Sequence, residues 1–365
     1  MRTVIAGGGL VGLTTAASLR LVGHDVTVLE QAPRVRAAGA GIGMWPNAIR
    51  EFDRIGIGAD VRAMSEQVDA WFYDSAGHAQ RAAGHADSDH RFLLVPRPAL
   101  NSLLADAVGR DRIVTDARVA GYTELDSKVV VHVQDGDDID ADLLIGADGV
   151  HSRVRAQLVP GSEAVPDAGH VAWRAVVPSG RERPEGSVLT IGEERTRGGY
   201  ARVSPGQTMW MVNQFAAGPL TGTRRERALA RARHLARGGW HDDLLEMIAA
   251  TDEGVILENE ILIVPTLAHW TGRRVALIGD AAHGLSPHIS AGGTLGVEDA
   301  GVLRAAFAAE PGLAAALTAY ETERKERFAK VRAYSAAVEQ AADAAEFAMR
   351  YADFSHWMLT TAPAT

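Results

Sequence analysis

Short apolar runs alternate with helix-like segments at the start of the chain, which predicts a parallel sheet. Residues 3–6 form an apolar strand, residues 7–12 a glycine-rich turn, and residues 10–22 have the spacing of an alanine-rich helix. A second apolar strand, residues 26–29, follows and ends at Glu30. Strand, helix and strand in this order predict a βαβ unit of an α/β fold.

Two further apolar strands, residues 142–145 and 274–278, each end in an aspartate followed by a helix-like segment. Between them the pattern changes to strand alternation, at 171–177 and 208–212, with helices predicted at about 224–237 and 242–250. This middle region predicts a mainly antiparallel sheet, to which residues 67–95 add strands. After Gly301 the chain is predicted to be helical, with 313–348 packed on the outside of the nucleotide domain.

The pattern therefore predicts a discontinuous nucleotide-binding domain that is interrupted twice by a substrate domain. The first comprises residues 1–66, 96–168 and 270–350, and the second comprises 67–95 and 169–269. Residues 351–365 are predicted to be a C-terminal tail.

Composition narrows the classes of function. The 365 residues carry 37 Lys and Arg against 46 Asp and Glu, a net charge of −9, which argues against a nucleic-acid partner. The absence of cysteine excludes disulfides and thiolate metal sites, and the histidines lack metal-site spacing, so no metal is predicted. No run approaches the roughly 20 apolar residues of a membrane span, and no signal peptide is evident, so we expect a cytoplasmic protein.

The first motif is a glycine turn that is typical of dinucleotide binding. Gly7, Gly9 and Gly12 satisfy Gly-x-Gly-x-x-Gly, and Leu10 and Val11 begin the helix whose free N–H groups would meet a pyrophosphate. Glu30, at the end of the second strand, is placed to accept hydrogen bonds from a ribose. A turn that is merely tight is the alternative, and the motif leaves open whether the ligand is FAD or NAD(P).

Two later motifs place a carboxylate at the end of a strand, where α/β sheets bind their ligands. Asp148 lies in the segment 147–155 and Asp280 in the segment 279–287. Either aspartate could hold a polyol hydroxyl, or could instead be the N-cap of the helix that follows.

In this order, the three motifs resemble the flavoprotein monooxygenases typified by p-hydroxybenzoate hydroxylase. The resemblance extends from Val4 to about Arg324, and 39–42, 45–48 and 96–100 support it. It implies a Rossmann-like FAD-binding domain in which Gly7, Gly9 and Gly12 surround the pyrophosphate and Glu30 binds the adenosine ribose. It also implies that Arg36 and Arg97 contact the ribityl and phosphate portion of FAD and that Asp280 binds a ribityl hydroxyl. Asp148, supported by Arg155, would belong to the motif linked to both FAD and NAD(P)H. Residues Pro287 to Gly293, including Gly292, would surround the flavin ring.

One segment departs from the family. Where the family reads Pro-x-x-Gly-Gln-Gly, this chain has Pro287 followed by His-Ile-Ser-Ala and then Gly292 and Gly293. Gly292 keeps a backbone amide available to the flavin, while Ser290 and Ala291 change the shape of the loop. No second dinucleotide motif exists, so the resemblance implies that NADH or NADPH binds transiently over the same cleft.

The activity implied is hydroxylation of a small aromatic or heteroaromatic molecule with NAD(P)H and O2, through a flavin C4a-hydroperoxide. Trp173, Tyr200, Trp210 and Met211 could line the substrate pocket, although strand tryptophans are more often core residues. Arg197 falls where the similar urate hydroxylases carry a substrate-facing arginine, and Met209 replaces their active-site tyrosine, which argues against urate itself. His288, beside Pro287, could move protons near neutral pH, whereas His283 would secure the loop.

Three alternatives stay open at this point. The same fold serves FAD-dependent oxidases and reductases, and a non-catalytic nucleotide-binding protein or a plain NAD-dependent dehydrogenase would carry some of the same motifs. Substrate identity and the choice between monomer and homodimer are not encoded in the patterns above.

Overall fold

The computed structural model describes residues 1–35, 41–69, 71–82, 91–182 and 187–363. The strands in these ranges are β1 Arg2–Ala6, β2 Asp25–Leu29, β3 Gly41–Met44, β4 Glu66–Asp69, β5 Phe72–Tyr73, β6 Ala79–Gln80, β7 Arg91–Pro96, β8 Ile113–Val114, β9 Val119–Glu124, β10 Val129–Val133, β11 Ile139–Ala141, β12 Leu143–Gly146, β13 Val165–Pro178, β14 Ser187–Ile191, β15 Thr196–Ser204, β16 Gln207–Gln214, β17 Leu257–Ile263 and β18 Val275–Leu277. The helices are α1 Leu10–Arg20, α2 Pro46–Arg54, α3 Gly58–Met64, α4 Arg97–Val108, α5 Arg153–Leu158, α6 Arg224–Ala232, α7 Asp242–Ala250, α8 Asp280–His283, α9 Gly292–Ala309, α10 Leu313–Glu339 and α11 Ala344–Thr360.

A five-stranded parallel sheet forms the nucleotide-binding part, with the strand order β18-β12-β1-β2-β8. Its three central strands β12, β1 and β2 are in parallel register, Ile5 lying between Ile145 and Val28. Apolar residues fill these strands because helices cover a parallel sheet on both faces. The carboxyl ends of all the strands meet at one edge, which confirms the predicted α/β class and brings the three motifs together.

A seven-stranded, mainly antiparallel sheet forms the second part, in the order β17-β13-β16-β15-β14-β5-β6. Side chains alternate between its two faces. On one face, here called the outer face, apolar residues pack against α6 and α7. The opposite, inner face packs against a three-stranded sheet, β3-β7-β4, and the C-terminal helices.

The segment 67–95 departs from its prediction. Among the described residues of this segment, β5 and β6 join the seven-stranded sheet, whereas β4 and β7 pair with β3 in the three-stranded sheet. A further hairpin-like sheet, β11-β10-β9, lies within 119–141 and had no counterpart in the predicted pattern. The two small sheets arise because short strands of three to six residues pair with antiparallel strands nearby.

The C-terminal region is more deeply built into the fold than predicted. Residues 351–360, predicted to be tail, belong to α11, and Tyr351, Phe354 and Met358 of that helix are buried. Helix α10 is likewise not a purely external helix, because Arg324 lies in the interior with its ion-pair partners Glu298 and Asp299. The described part of the chain has no helix that is long and apolar enough to cross a membrane.

Candidate functional site

The glycine turn between β1 and α1 is shaped by close backbone approach. A Cβ atom at Gly7, where φ is +107°, would stand 2.4 Å from the carbonyl oxygen of Ala147, and one at Gly12 would stand 1.9 Å from that of Gly7. At Gly9, by contrast, a Cβ would meet nothing within 4 Å. No side chain caps the helix that starts at Leu10, so its first N–H groups face this open space.

Glu30 lies beside the turn, at the carboxyl end of β2. One of its oxygens accepts a hydrogen bond from the amide of Gly8 at 2.8 Å, and the other accepts from the amide of Ala32 at 2.8 Å. Each carboxylate oxygen can accept more than one hydrogen bond. Glu30 is therefore fixed in place and still able to receive a ribose hydroxyl.

The two motif aspartates differ in their partners. Asp148 accepts hydrogen bonds from the Ser152 hydroxyl at 2.5 Å and from the amides of Arg153 at 2.8 Å and Val154 at 3.2 Å, so its carboxylate holds the start of α5. Asp280 is exposed, and its carboxylate makes no hydrogen bond or ion pair within the described residues. Both oxygens of Asp148 thus bind groups at the start of α5, where Ser152 is the N-cap residue, and the predicted role of Asp148 at the dinucleotide stays a prediction. Asp280 is the first residue of α8 and does not cap it.

Two predicted arginines lie around these aspartates. Arg155 is buried and donates to the carbonyl oxygens of Ser162, Ala281 and Val150, which ties the second motif to the third. Arg97 begins α4, and burial lowers its pKa while the neighbouring charge of Asp280 opposes that effect. Arg36 lies outside the described residues.

The segment that departs from the family pattern leads into α9. Pro287 is exposed, and Gly292 and Gly293 are the first two residues of that helix. No side chain caps α9, so its first N–H groups are available to an acceptor. A Cβ at Gly292 would approach Asp280 Oδ1 to 3.8 Å, which places the start of α9 next to the free carboxylate.

The described residues fit an FAD molecule along this edge of the parallel sheet. The space at Gly9 with uncapped amides suits the pyrophosphate, Glu30 a ribose, Asp280 a polyol chain and the start of α9 the polar edge of a ring. The same ranges hold no cluster of three or more His, Asp or Glu that could bind a metal ion.

Arg197 projects from β15 into the inner face of the seven-stranded sheet. Its guanidinium lies 4.8 Å from the ring centres of both Phe215 and Phe347 and donates to the carbonyl oxygens of Val338 and Glu339. Its Nη1 atom is buried without a hydrogen-bond partner among the described residues. Burial lowers the pKa of Arg197 to about 10, which still leaves it charged at neutral pH.

The structure corrects the prediction that Trp173 and Tyr200 line a substrate pocket. Both lie on the outer face, in the core formed with α6 and α7. Trp173 donates its indole N–H to Glu258 at 2.5 Å, and Tyr200 donates its hydroxyl to Asp243 at 2.5 Å. Tyr200 pairs with Trp210 across the sheet and Trp173 pairs with Val212, whereas Arg197 pairs with Asn213. Because side chains alternate along a strand, Arg197 points to the opposite face of the sheet from Trp173 and Tyr200.

A cluster of aromatic side chains, none of which was assigned to the substrate side from the sequence, adjoins Arg197 through Phe347. Tyr351 of α11 lies 5.0 Å from Phe72 and 5.9 Å from Trp45 between ring centres, and Phe347 lies 4.8 Å from Phe72. Phe347 and Tyr351 are four residues apart, so they share one face of α11. That spacing was the available signal, but the boundary predicted at residue 350 placed Phe347 in an external helix and Tyr351 in the tail.

His288 lies next to this group but does not have the predicted properties of a proton carrier near neutral pH. Burial, reinforced by the charge of Arg197, lowers its pKa to about 3. Its Nδ1 lies 2.8 Å from the Ser286 hydroxyl and its Nε2 lies 3.0 Å from the carbonyl oxygen of Ser335. Both ring nitrogens are therefore engaged within the protein.

Comparisons with known proteins agree with the geometry. Residues 1–335 match the family described as FAD binding domain. The chain is 32% identical to aurachin C monooxygenase/isomerase of Stigmatella aurantiaca, covering 90% of this chain and 86% of the relative, and 31% identical to 6-hydroxynicotinate 3-monooxygenase of Bordetella bronchiseptica, covering 92% and 90%. The structure of Klebsiella pneumoniae HpxO complexed with FAD and uric acid superposes with a TM-score of 0.82 at 27% identity, covering 98% of this chain and 93% of that one.

Proposed function

The chain belongs to the FAD-binding family of aromatic-ring monooxygenases, and from this premise we propose that it hydroxylates a small aromatic or heteroaromatic molecule with O2 and NADH or NADPH. The observation that carries the proposal is the position of Arg197, a buried cation whose Nη1 has no hydrogen-bond partner among the described residues. It lies between aromatic rings on the sheet face opposite the core of α6 and α7. One relative is named as a monooxygenase of 6-hydroxynicotinate, and the similar Klebsiella pneumoniae structure contains uric acid beside FAD.

FAD, when bound, supplies the redox chemistry that activates oxygen. The groups of this chain that would hold it are backbone amides and carboxylates that can still form hydrogen bonds. The amides at the start of α1, from Leu10 and Val11, would bind the pyrophosphate, and Glu30 and Asp280 would accept hydroxyl groups of the ribose and ribityl chain. The first amides of α9, at Gly292 and Gly293, would face the ring.

The residues on the substrate side bind, orient and exclude water. Arg197 would donate from Nη1 to an oxygen of the substrate ring, and a charge-assisted hydrogen bond of this kind is about twice as strong as a neutral one. Phe215 and Phe347 flank that guanidinium and present apolar surface to a planar ring. Pro287 would form the wall between substrate and flavin.

The overall reaction balances with one oxygen molecule. One oxygen atom enters the product as a hydroxyl group, the other leaves as water, and NAD(P)H provides the two electrons while a proton is taken from solvent. The sequence has a single Gly-x-Gly-x-x-Gly turn, which supports transient binding of the nicotinamide nucleotide over the same cleft.

Product analysis with labelled oxygen tests the proposal. The purified protein loaded with FAD is incubated with NADH or NADPH, ¹⁸O₂ and a panel of phenols, hydroxypyridines and purines. We expect one compound to stimulate nicotinamide oxidation and to gain one ¹⁸O atom per molecule. Quantitative hydrogen peroxide without a labelled product would instead identify an oxidase, and no nicotinamide consumption with any compound would indicate a non-catalytic protein.

A further inference from the structure

The loop of residues 286–291, here called the flavin loop, is held by hydrogen bonds to three other parts of the fold. The indole N–H of Trp45 donates to the carbonyl oxygen of Ser290 at 3.2 Å, and His288 bonds to the carbonyl oxygen of Ser335 in α10 at 3.0 Å. The Ser286 hydroxyl lies 3.0 Å from Nδ1 of the buried His170 in β13. The loop is therefore tied to the start of α2, to α10 and to the seven-stranded sheet.

The carbonyl oxygen of Ser335 determines the direction of the hydrogen bonds that His288 makes. A carbonyl oxygen can only accept, so His288 must carry its proton on Nε2 and donate it to Ser335. The lone pair of Nδ1 then accepts from the Ser286 hydroxyl. His170 is also 3.4 Å from Asp167 and 3.2 Å from Asn213. Both ring nitrogens of His288 are thus engaged in hydrogen bonds within the protein.

The conformation of the loop makes such anchoring necessary. Ser290 has φ of +52°, a left-handed conformation that disfavours a residue with a side chain. In this chain the serine stands where the resembled family has glycine, so the loop does not adopt this shape through glycine. The surrounding hydrogen bonds must maintain it.

We propose that His288 is a positioning residue, which holds the flavin loop in one conformation by bridging Ser286 and the carbonyl group of Ser335. The inference rests on the proposed function for the identity of the flavin, whereas the bridge itself is a property of the chain. The groups that face the imidazole are Arg197, Phe215 and the chain of His170 with Asp167.

Two substitutions separate positioning from proton transfer. His288→Gln retains a side-chain donor and an acceptor but cannot act as a base near neutral pH, and His288→Leu removes both hydrogen bonds. His24→Leu is the matched control, because the His24 ring, like that of His288, makes a side-chain hydrogen bond, to Thr3 at 2.9 Å. His24 is buried and precedes β2, at the end of the parallel sheet away from the flavin loop. Each variant is purified as the full chain, stripped of FAD and titrated with it.

We expect His288→Leu to raise the FAD dissociation constant about tenfold, because two hydrogen bonds that hold the loop are lost. It should also shift the visible flavin absorption and lower the fraction of NAD(P)H consumption that yields hydroxylated product. His288→Gln should bring the FAD dissociation constant and the coupled fraction to within about threefold of wild type and restore the wild-type absorption. The pH profile of kcat should keep its shape between about pH 6 and 9 in every variant. His24→Leu should leave FAD binding and absorption unchanged.

Two results would overturn the proposal. If His288→Gln is as impaired as His288→Leu and the pH profile loses an ionisation, His288 acts as a base. If His288→Leu binds FAD with unchanged affinity and absorption, the bridge does not position the loop. The titration and the spectrum need no substrate, so they still test the loop if the wild-type chain transfers no oxygen and the proposed function fails.

Discussion

At the scale of single residues, Arg197 carries the substrate side of the proposal. Removing its charge in Arg197→Met should lower kcat/KM about ten- to hundredfold, because a hydrogen bond to a charged group contributes about 1.5–3 kcal/mol. FAD binding and the flavin spectrum should not change. Steady-state kinetics with the substrate found by labelled-oxygen analysis would measure the effect.

Arg195, which directly precedes β15 and lies two residues before Arg197, provides a matched control. Arg195 is exposed, pairs with Glu339 at 2.8 Å and has its guanidinium 5.6 Å from the Phe215 ring. Arg195→Met should therefore keep kcat/KM within about twofold, as expected for a surface ion pair. Equal losses in the two variants would mean that Arg197 acts through general electrostatics or packing rather than through Nη1.

The two aspartates that the sequence could not distinguish should respond in opposite ways. Asp148→Asn weakens the hydrogen bonds that hold Ser152 and the first amides of α5 and should lower the free energy of unfolding of the apoprotein by about 1 kcal/mol. Asp280→Asn removes a carboxylate with no partner among the described residues, so apoprotein stability should be unchanged while the FAD dissociation constant rises about tenfold. Denaturant unfolding and FAD titration of both variants would measure this, and a stability loss confined to Asp280→Asn would refute the assignment.

At the scale of elements, the glycine turn provides a test of the FAD site that separates fold from binding. Gly9→Ala adds a methyl group with nothing within 4 Å and a compatible φ of −82°, so the apoprotein should unfold within about 0.5 kcal/mol of wild type. The methyl group nevertheless occupies the pyrophosphate position, so FAD should bind at least about tenfold more weakly.

Gly12→Ala should behave differently, because its methyl group would stand 1.9 Å from the carbonyl oxygen of Gly7. We expect this variant to lose about 1–3 kcal/mol of stability even without FAD. Equal apoprotein stability of the two alanine variants, measured by denaturant unfolding, would contradict the geometry of the turn.

The elements show where sequence patterns suffice and where they do not. Strands β1, β2, β12 and β18 were predictable because each is a short apolar run that ends in a motif. Alternation also predicted that the strands of the middle region have two faces. It could not tell which face α6 and α7 cover, so Trp173 and Tyr200 were assigned to the wrong side.

Tertiary contacts decide the rest of the site. The partners of His288 are Ser286 in its own loop and Ser335 in α10, 47 residues away, and no local pattern links them. The same holds for Arg197, whose cation–π partners Phe215 and Phe347 come from different elements. The sequence could therefore name both residues as candidates but could not separate a positioning role from a catalytic one.

At the scale of the whole molecule, the FAD contacts come from distant parts of the chain, since Gly9, Glu30, Asp280 and Gly292 meet at one sheet edge. Binding should therefore stabilise the fold as a unit, by about 2.7 kcal/mol at an FAD concentration 100 times the dissociation constant. ADP reaches only the glycine turn and Glu30, so at equal concentration it should raise the melting temperature less than FAD does. Calorimetry of the apoprotein with each ligand measures this difference; equal shifts with ADP and FAD would show that Asp280 and the start of α9 take no part in binding.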